Sequence, residues 1–516
     1  MKKYNYIYII IILFSIVVGI FTRVQLTNMY SLNSDMIEHY YHMRQYYDNN
    51  KFPVTGALLE GGTYIGSPYD NSSSIYIETA RIPGGYFYLE YMFFYFLSGE
   101  NLDLARILYG IAMTLFSCIF LVWIYNKFGL KILAIMTSMI FVNITFFTVS
   151  NKFYNPHTAF LLSFISIPII LEYITSKKFN YFYAILIFPI LALEAMGHMS
   201  TFFNLIPTII AYLLIRWKNT KKYIIPLSIG VFISFLLYLP YLISEINNDF
   251  QNFINAISLR GKVNPIIQPP QIWSILFFPT NEPNANYGNT ILAIFKHWFN
   301  GNISLIFSFI FYIISIIIGL FSFILLIKDF FQKKLEDKEN FIFKESALIY
   351  FLYIIITIIL FMALNLGAAR ARYFLNIYPL TFIPIIYLSK KIEGKKIFNA
   401  FLIFILFNPL AVYVEMKHLY RNENKLGWNF MIPHINKIKE DANGNSFDIS
   451  TNSYYPSLLL KIDDKNFVAD SNSSIKYHII SIYDNKAFNS TNNMEIIYSN
   501  SAYITYKEYK HNNDTN

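Results

Sequence analysis

Acidic and imidazole side chains are concentrated in a polar stretch that follows the first apolar segment of the sequence. Asp35, Glu38, His39 and His42 recur at helical spacing, so a short helix would place them on one side. A carboxylate in such a position could act as a general base. Two imidazoles beside two carboxylates could instead suggest a metal site. A solvated amphipathic helix at the lipid surface explains the same spacing, and the residues alone leave these alternatives open.

Three arginines are candidates for binding a phosphate. Arg81 precedes a Pro-Gly-Gly turn at residues 83–85, and Arg370 and Arg372 lie between two apolar segments. A guanidinium suits a phosphodiester because its planar fork donates two hydrogen bonds and stays protonated. Arg370 and Arg372 could also be a snorkelling pair at the outer interface. Positive charge is disfavoured on that side of a membrane, which favours a functional role.

Further polar residues fall beside the same turns. Glu78 is a second-choice carboxylate shortly before Arg81, and the helix expected after residue 85 would direct its N-terminal amides toward an outer cavity. His39, His198 and Tyr373 are candidates for lining that cavity, and a capping role explains His198 equally well. The many tyrosines of the same region fit an interfacial belt as well as sugar binding, so they decide nothing.

The segments that must position these residues are membrane helices. Of the 516 residues, 55% are apolar and 14% are charged, against about 25% charged in an ordinary soluble domain. Residues 303–327 contain no charge and exceed the ~30 Å hydrocarbon core of a bilayer. A large soluble core does not explain such blocks, because its helices keep a polar face. We expect spans near residues 6–22, 104–126, 131–150, 156–174, 181–197, 200–216, 222–243, 302–328, 344–365, 371–389 and 397–415.

The apolar stretch at residues 85–97 is short and contains Glu90, which is typical of a re-entrant or interfacial helix. If it does not cross and the N-terminus is cytoplasmic, the basic loops all lie inside. The chain is therefore predicted to have about eleven transmembrane helices plus one re-entrant or juxtamembrane helix. The inside loops would be residues 127–131, 177–178, 216–222, 328–344 and 390–396.

This orientation predicts a multi-pass protein of the cytoplasmic membrane in two domains. Residues 1–415 form an all-α polytopic membrane module, with outer loops at 23–84 and 244–301. Residues 416–516 form a small extracytoplasmic α/β domain. The first span is interpreted as an uncleaved anchor because no small-x-small cleavage site follows it. The net charge of +9 falls beside helix ends, so we expect no nucleic-acid partner.

The order of these motifs resembles a known family. A carboxylate after the first helix is followed by tyrosines, a turn at 49–56, a turn-helix at 83–88 (Pro-Gly-Gly-Tyr-Phe-Tyr) and an Ala-Arg entry to the next span. Later, residues 370–379 (Arg-Ala-Arg-Tyr-Phe-Leu-Asn-Ile-Tyr-Pro) fit the same pattern. Over roughly residues 1–390 the chain resembles the GT-C glycosyltransferases of the protein O-mannosyltransferase and lipid A aminoarabinose transferase kind. It departs from them where their Asp-Glu pair is Asp35-Met36 and their Pro-Pro is Pro83-Gly84.

The resemblance implies a GT-C fold and transfer of a sugar, with inversion, from a polyprenyl-phosphate donor at the outer face of the membrane. Asp35 would be the carboxylate near the acceptor, with Glu38 and Glu78 as second choices. Arg372, Arg370 and Arg81 would stabilise the departing phosphate. The acceptor would be a lipid, a glycan or a protein. No cofactor is expected, and a divalent metal is compatible with the site but not expected.

Two other classes remain open from the sequence. A transporter or lipid flippase would also be polytopic, but the spans show no half-and-half repeat and few intramembrane charges. Glu172 and Glu194, both near helix ends, are the exceptions. A polysaccharide polymerase or ligase would use a diphosphate-linked donor instead.

Overall fold

The structure is a computed structural model, and its described residues group into two compact units. The described residues are 2–27, 34–59, 63–65, 75–77, 80–143, 146, 149, 153–175, 179–258, 303–337, 340–363, 371–392, 428–443, 445, 447–451, 474–481, 494–499 and 503–509. The first unit draws on residues 1–23, 52–59 and 79–416, and the second on 24–51, 60–78 and 417–516.

Helices dominate the described chain, and short strands connect or follow them. In chain order the helices are α1 (Lys2–Thr27), α2 (Ser34–Asp48), α3 (Tyr86–Leu97), α4 (Leu102–Phe141), α5 (Asn155–Thr175), α6 (Asn180–Gly197), α7 (Ser200–Phe203), α8 (Leu205–Ile215), α9 (Trp217–Thr220), α10 (Ile224–Asn247), α11 (Gln251–Ser258), α12 (Ile303–Phe331), α13 (Phe341–Ala363), α14 (Ile383–Lys391) and α15 (Trp428–Ala442). Two 3₁₀ helices cover Lys221–Tyr223 and Ala371–Phe382. The strands are β1 (Thr55–Leu58), β2 (Thr63–Ile65), β3 (Ile75–Ile77), β4 (Arg81–Pro83), β5 (Asp448–Thr451), β6 (Ile475–Ser481), β7 (Met494–Ser499) and β8 (Tyr503–Tyr509).

Length and composition make six helical segments of the described chain able to cross a membrane. They are residues 5–24, 102–141, 155–175, 180–197, 217–247 and 341–360. Large apolar side chains such as Leu115, Phe232 and Ile359 are exposed along them, as a lipid-facing surface requires. The predicted polytopic membrane fold is therefore confirmed in its class, whereas the total of eleven spans stays a prediction. The predicted span at 397–415 lies outside the described residues.

One boundary between predicted spans falls within α4, and two other predicted spans are not single, regular α-helices in the structure. Gly129 interrupts α4 with φ 79°, which separates the two spans predicted on either side of it. The predicted span at 200–216 is broken at Asn204, whose side chain accepts a hydrogen bond from the Leu205 N–H at 2.6 Å and so competes with the helix. The span predicted at 371–389 begins as a 3₁₀ helix, and Pro379 within it lacks the N–H that an α-helix would use.

The short helix α3 is packed at one end of the first unit. Its 12 residues rise about 18 Å, less than the ~30 Å hydrocarbon core. The Glu90 carboxylate accepts a hydrogen bond from Thr158 at 2.5 Å, near the start of α5, and the Tyr91 ring stacks 3.8 Å from the Phe153 ring. The length and these contacts agree with a helix that does not cross.

Charged pairs lie together at the end of the first unit opposite α3. Lys127 bonds to Glu172 at 2.7 Å, and Arg216 bonds to Glu345 at 2.7 Å. The Lys390 ammonium lies 6.0 Å from the Phe128 ring centre and 5.3 Å from the Phe343 ring centre, which brings three of the basic loops together. Glu172, an exception noted in the sequence, is therefore one half of an ion pair. This clustering is what the positive-inside assignment requires of these loops.

The second unit contains a small sheet with one helix packed on it. The strand order is β5-β6-β8-β7, with β5 and β6 parallel and the other pairs antiparallel. On the face that meets α15, His434 Nδ1 lies 2.6 Å from the Thr505 hydroxyl. Asp441 accepts from the Tyr477 hydroxyl at 2.5 Å and pairs with Lys507 at 2.7 Å. The described tail residues thus combine helix and sheet.

The Arg216–Glu345 pair generates a stability prediction. The Glu345 carboxylate is 1% exposed and accepts two hydrogen bonds from the guanidinium. Arg216→Ala removes the cation and leaves the Tyr212 hydroxyl, which donates to Glu345 at 2.7 Å. The loss of charge compensation should lower the free energy of unfolding by about 3–5 kcal/mol. Denaturant titration of the purified protein in mixed micelles measures the change.

The matched control is Glu336→Gln, which removes the exposed partner of Lys344 at the same end. We expect its unfolding midpoint to stay near that of wild type. In the variant that combines Arg216→Met, Glu345→Leu and Tyr212→Phe, apolar side chains replace the whole polar cluster and should restore most of the loss. A fully stable Arg216→Ala variant would contradict the buried pair.

Candidate functional site

A two-stranded ribbon at the end opposite the charged pairs positions Arg81. β4 pairs antiparallel with β1, with Leu58 opposite Arg81 and Thr55 opposite Pro83. The Arg81 side chain is only 8% exposed, and its Nη1 donates to the Gly56 carbonyl at 3.3 Å. The sequence indicated a turn in this region but not the ribbon. A buried guanidinium held on paired backbone is a preorganised cation.

The turn between β4 and α3 requires glycine at both of its positions. Gly84 has φ +87°, a conformation that proline cannot adopt because its ring fixes φ near −65°. This explains why the chain departs from the Pro-Pro pattern. A Cβ added at Gly85 would lie 1.8 Å from the Pro53 carbonyl oxygen, so the two segments touch backbone to backbone. The turn thereby fixes where α3 begins.

A mostly apolar cleft of about 380 Å³ opens beside this turn. Its walls come from residues 52–54 just before β1, the glycine turn after β4, the start of α3, the end of α6 and the later part of α10. They are formed by Phe52, Pro53, Val54, Gly84, Gly85, Tyr86, Leu89, Leu193, Met196, Leu237, Pro240 and Tyr241. The cleft can accept a hydrocarbon group next to the segment that carries Arg81.

Two of the predicted cavity residues, His198 and Tyr373, lie together. Their ring centres are 5.3 Å apart. His198 Nδ1 lies 2.6 Å from the Ser200 hydroxyl, and the Ser200 N–H donates to the same nitrogen at 3.4 Å. Because a backbone N–H can only donate, Nδ1 is the acceptor and Nε2 carries the proton. His198 lies between two helices, where burial lowers its pKa to about 3. The ring is therefore a neutral hydrogen-bond donor.

A network of neutral amides and hydroxyls holds the 3₁₀ helix that carries Tyr373. Asn376 accepts from the Tyr353 hydroxyl at 3.0 Å and donates to Thr201 at 3.1 Å and to Asn204 at 2.8 Å. Asn204 in turn donates to the Tyr373 carbonyl at 2.9 Å. No sequence motif singled out Asn204 or Asn376 as a site residue. An asparagine within an apolar segment could have indicated them, since such a side chain must find hydrogen-bond partners inside the protein.

The helical bundle also buries two carboxylates, Glu194 and Glu90, to which no sequence motif assigns a role. Glu194 is fully buried one turn before His198, and the Ser166 hydroxyl is the polar group that faces its carboxylate. Glu90 is bonded to Thr158, as described above. Acidic side chains are costly inside a membrane protein and usually serve a function there, so both residues are candidates for a functional role.

The other predicted site residues are spread over α2 in the second unit, the 3₁₀ helix of the first unit and residues outside the described ranges. The short helix predicted around Asp35 is present as α2, which carries Asp35 and Glu38. Glu38 lies 3.8 Å from His42, and His39 is buried. Glu78 and Arg370 lie outside the described residues, and Arg372 lies in the long 3₁₀ helix. Within the described ranges no three His, Cys, Asp or Glu side chains are grouped as a metal site.

Comparison with solved structures decides the fold. No protein-family model and no curated protein matches the sequence. ArnT from Cupriavidus metallidurans bound to undecaprenyl phosphate is similar over 98% of this chain and 98% of its own, with a TM-score of 0.53 at 9% identity. The apo state of the same protein gives a TM-score of 0.54 at 8% identity, with the same coverage. The chain has the GT-C fold.

This fold covers more of the chain than the motifs did, because the motifs were confined to roughly residues 1–390. The Archaeoglobus fulgidus oligosaccharyltransferase in its apo form is similar over 89% of this chain and 64% of its own, at 11% identity and a TM-score of 0.48. In the GT-C frame of this chain, the Arg81 ribbon, the cleft and the His198–Tyr373 pair lie within one compact unit.

The buried state of His198 predicts how stability depends on pH. An unfolded histidine takes up a proton near pH 6.5, whereas the folded ring does so only near pH 3. The free energy of unfolding should therefore fall as pH drops below 6.5, by about 1.4 kcal/mol per pH unit. At pH 5 the loss reaches about 2 kcal/mol. Unfolding of wild type and of His198→Asn at pH 7 and pH 5 measures it.

His198→Asn should reduce this slope, because the substituted residue does not titrate. Gln251→Ala, which removes an exposed amide that does not titrate, is the control and should retain the wild-type slope. Equal slopes in wild type and His198→Asn would contradict the buried neutral ring.

Proposed function

We propose that this chain is a membrane glycosyltransferase that moves a sugar from a polyprenyl-phosphate donor to an acceptor at the outer face of the membrane. The observation that carries the proposal is the similarity over 98% of both chains to a protein whose structure holds undecaprenyl phosphate. The apolar cleft and the buried Arg81 beside it support the same assignment, since the donor joins a hydrocarbon chain to an anion.

The cations of the proposed site act on the leaving group. As the bond between the anomeric carbon and the phosphate breaks, negative charge grows on the phosphate oxygen. Arg81, held by the ribbon, stabilises that charge, and Arg372 and Arg370 are the further phosphate ligands of the proposal. Because guanidinium stays protonated, the site keeps its positive charge across the working pH range.

A carboxylate acts on the acceptor in this mechanism. Asp35, with Glu38 and Glu78 as second choices, orients or deprotonates the attacking hydroxyl or amine. The acceptor attacks the anomeric carbon from the side opposite the phosphate, so the configuration inverts. The acceptor is a lipid, a glycan or a protein, and the reaction as proposed requires no cofactor.

The proposal places the protein in the cytoplasmic membrane with its N-terminus inside and residues 416–516 outside. The gathering of basic loops at one end of the first unit supports this orientation. The site residues Arg81 and His198 belong to the opposite end, where a lipid-linked sugar is available after its transfer across the membrane.

Asp35→Asn tests the carboxylate. The change keeps the size of the side chain and removes the base, so transfer should fall by about 10²- to 10⁴-fold while stability changes little. The assay is recovery of the modified lipid or glycan by mass spectrometry in a deletion strain that expresses each variant at equal level. Glu38→Gln, tested beside it, identifies which acid serves.

Asp48→Asn is the matched control, because Asp48 lies on the same helix and is paired with Arg44 at 3.0 Å. It should leave transfer near wild type. Full transfer by both Asp35→Asn and Glu38→Gln would contradict the proposed carboxylate and would favour the transporter class.

A further inference from the structure

Asn252 is bonded to the main chain of Arg81, although 171 positions separate the two residues. Its Oδ1 accepts from the Arg81 N–H at 2.6 Å, and its Nδ2 donates to the Arg81 carbonyl at 3.1 Å. A second Nδ2 contact reaches the Tyr241 hydroxyl at 3.0 Å. One amide thus satisfies both polar groups of a single residue, as a neighbouring strand would.

The chain adopts an unusual conformation to bring Asn252 there. Between α10 and α11, Asp249 and Phe250 have φ values of 51° and 57°, a region that residues other than glycine seldom adopt. Glu245 then accepts from the Phe253 N–H at 3.0 Å and fixes the start of α11. Strain of this kind persists where the surrounding contacts require it, and such positions concentrate at functional sites.

Arg81 is therefore held from two directions. β1 pairs with β4 on one side, with Leu59 donating to the Ala80 carbonyl at 2.9 Å. The Asn252 amide holds the Arg81 N–H and carbonyl. Tyr241, which orients Asn252, also lines the apolar cleft. The two hydrogen bonds of Asn252 with the Arg81 main chain, called the Asn252 clamp, therefore link the wall of the cleft to the backbone of Arg81.

We propose that Asn252 is a positioning residue that fixes Arg81 for binding the phosphate of the lipid donor. This inference rests on the proposed function. Asn252 acts through Arg81 and need not touch the lipid. A cation that is already ordered loses less conformational freedom when the phosphate binds, so its contribution to affinity is larger. An amide is suited to the task because it offers both an acceptor and a donor, whereas a carboxylate would face the Arg81 carbonyl with a like partial charge.

A double-mutant cycle tests the proposal on the full chain in lipid nanodiscs. The measured quantity is the affinity for undecaprenyl phosphate, with undecaprenol as the probe that lacks the phosphate. Arg81→Ala should weaken binding of undecaprenyl phosphate by roughly 10- to 150-fold. Asn252→Ala should weaken it by roughly 5- to 10-fold, and the double variant should bind no more weakly than Arg81→Ala. Undecaprenol binding should stay unchanged in all three.

Two further variants sharpen the test. Asn252→Asp keeps the acceptor for the Arg81 N–H but loses the donor, so it should weaken binding as Asn252→Ala does. Gln251→Ala removes an exposed amide from the same helix and should bind both lipids as wild type does.

Three outcomes overturn the inference, and they are distinguishable. Losses for Arg81→Ala and Asn252→Ala that multiply in the double variant would show that Asn252 does not act through Arg81. Equal weakening of undecaprenol would show a merely structural role. Wild-type protein that binds undecaprenyl phosphate no better than undecaprenol would overturn the proposed function together with the inference.

Discussion

A hydrocarbon environment offers no water to a buried polar group, and this constraint determines how polar residues are arranged throughout the first unit. Carboxylates at one end meet Lys127 and Arg216, and amides deeper in the bundle meet one another. These contacts join residues that are 45, 129 and 172 positions apart. The polar residues therefore help to determine which helices are neighbours.

The two ends of the first unit differ in the polar contacts that they contain. The end with the basic loops contains the Lys127–Glu172 and Arg216–Glu345 ion pairs. The opposite end contains the neutral Asn376 network and the contacts of Asn252 with Arg81, together with one ion pair between Asp103 and Arg106. The buried Arg81 and the apolar cleft near it are the reason for proposing the phosphate site at the second end.

The sequence predicted what depends on local pattern. The 12-residue helix α3, the helix α2 around Asp35 and the interruption near Gly129 all follow from apolar run length or helical spacing. It did not predict the ribbon of β1 and β4, the break at Asn204 or the 3₁₀ form of residues 371–382. Those features depend on hydrogen bonds between residues as far apart as Asn204 and Asn376, which no local pattern specifies. The GT-C resemblance, drawn from the order of motifs, is confirmed at the level of the fold.

The candidate site divides in the same way. Residue type and position beside the predicted outer turns selected Arg81, His198 and Tyr373, and the structure places the last two in ring contact. The tautomer of His198 depends on Ser200, and the placement of Arg81 depends on Asn252, so neither could be predicted before the fold was known. At Gly84 the sequence showed a departure from the Pro-Pro pattern but gave no reason for it. The positive φ of Gly84 supplies that reason.

The reaction that we propose consumes a sugar carried on a polyprenyl monophosphate. The most direct measurement is mass spectrometry of membrane lipids from a deletion strain and from the same strain complemented with the wild-type gene. The account predicts that a polyprenyl-monophosphate sugar accumulates in the deletion strain and that one envelope lipid, glycan or protein loses the corresponding mass. Unchanged carrier lipids, or accumulation of a diphosphate-linked saccharide instead, would contradict it.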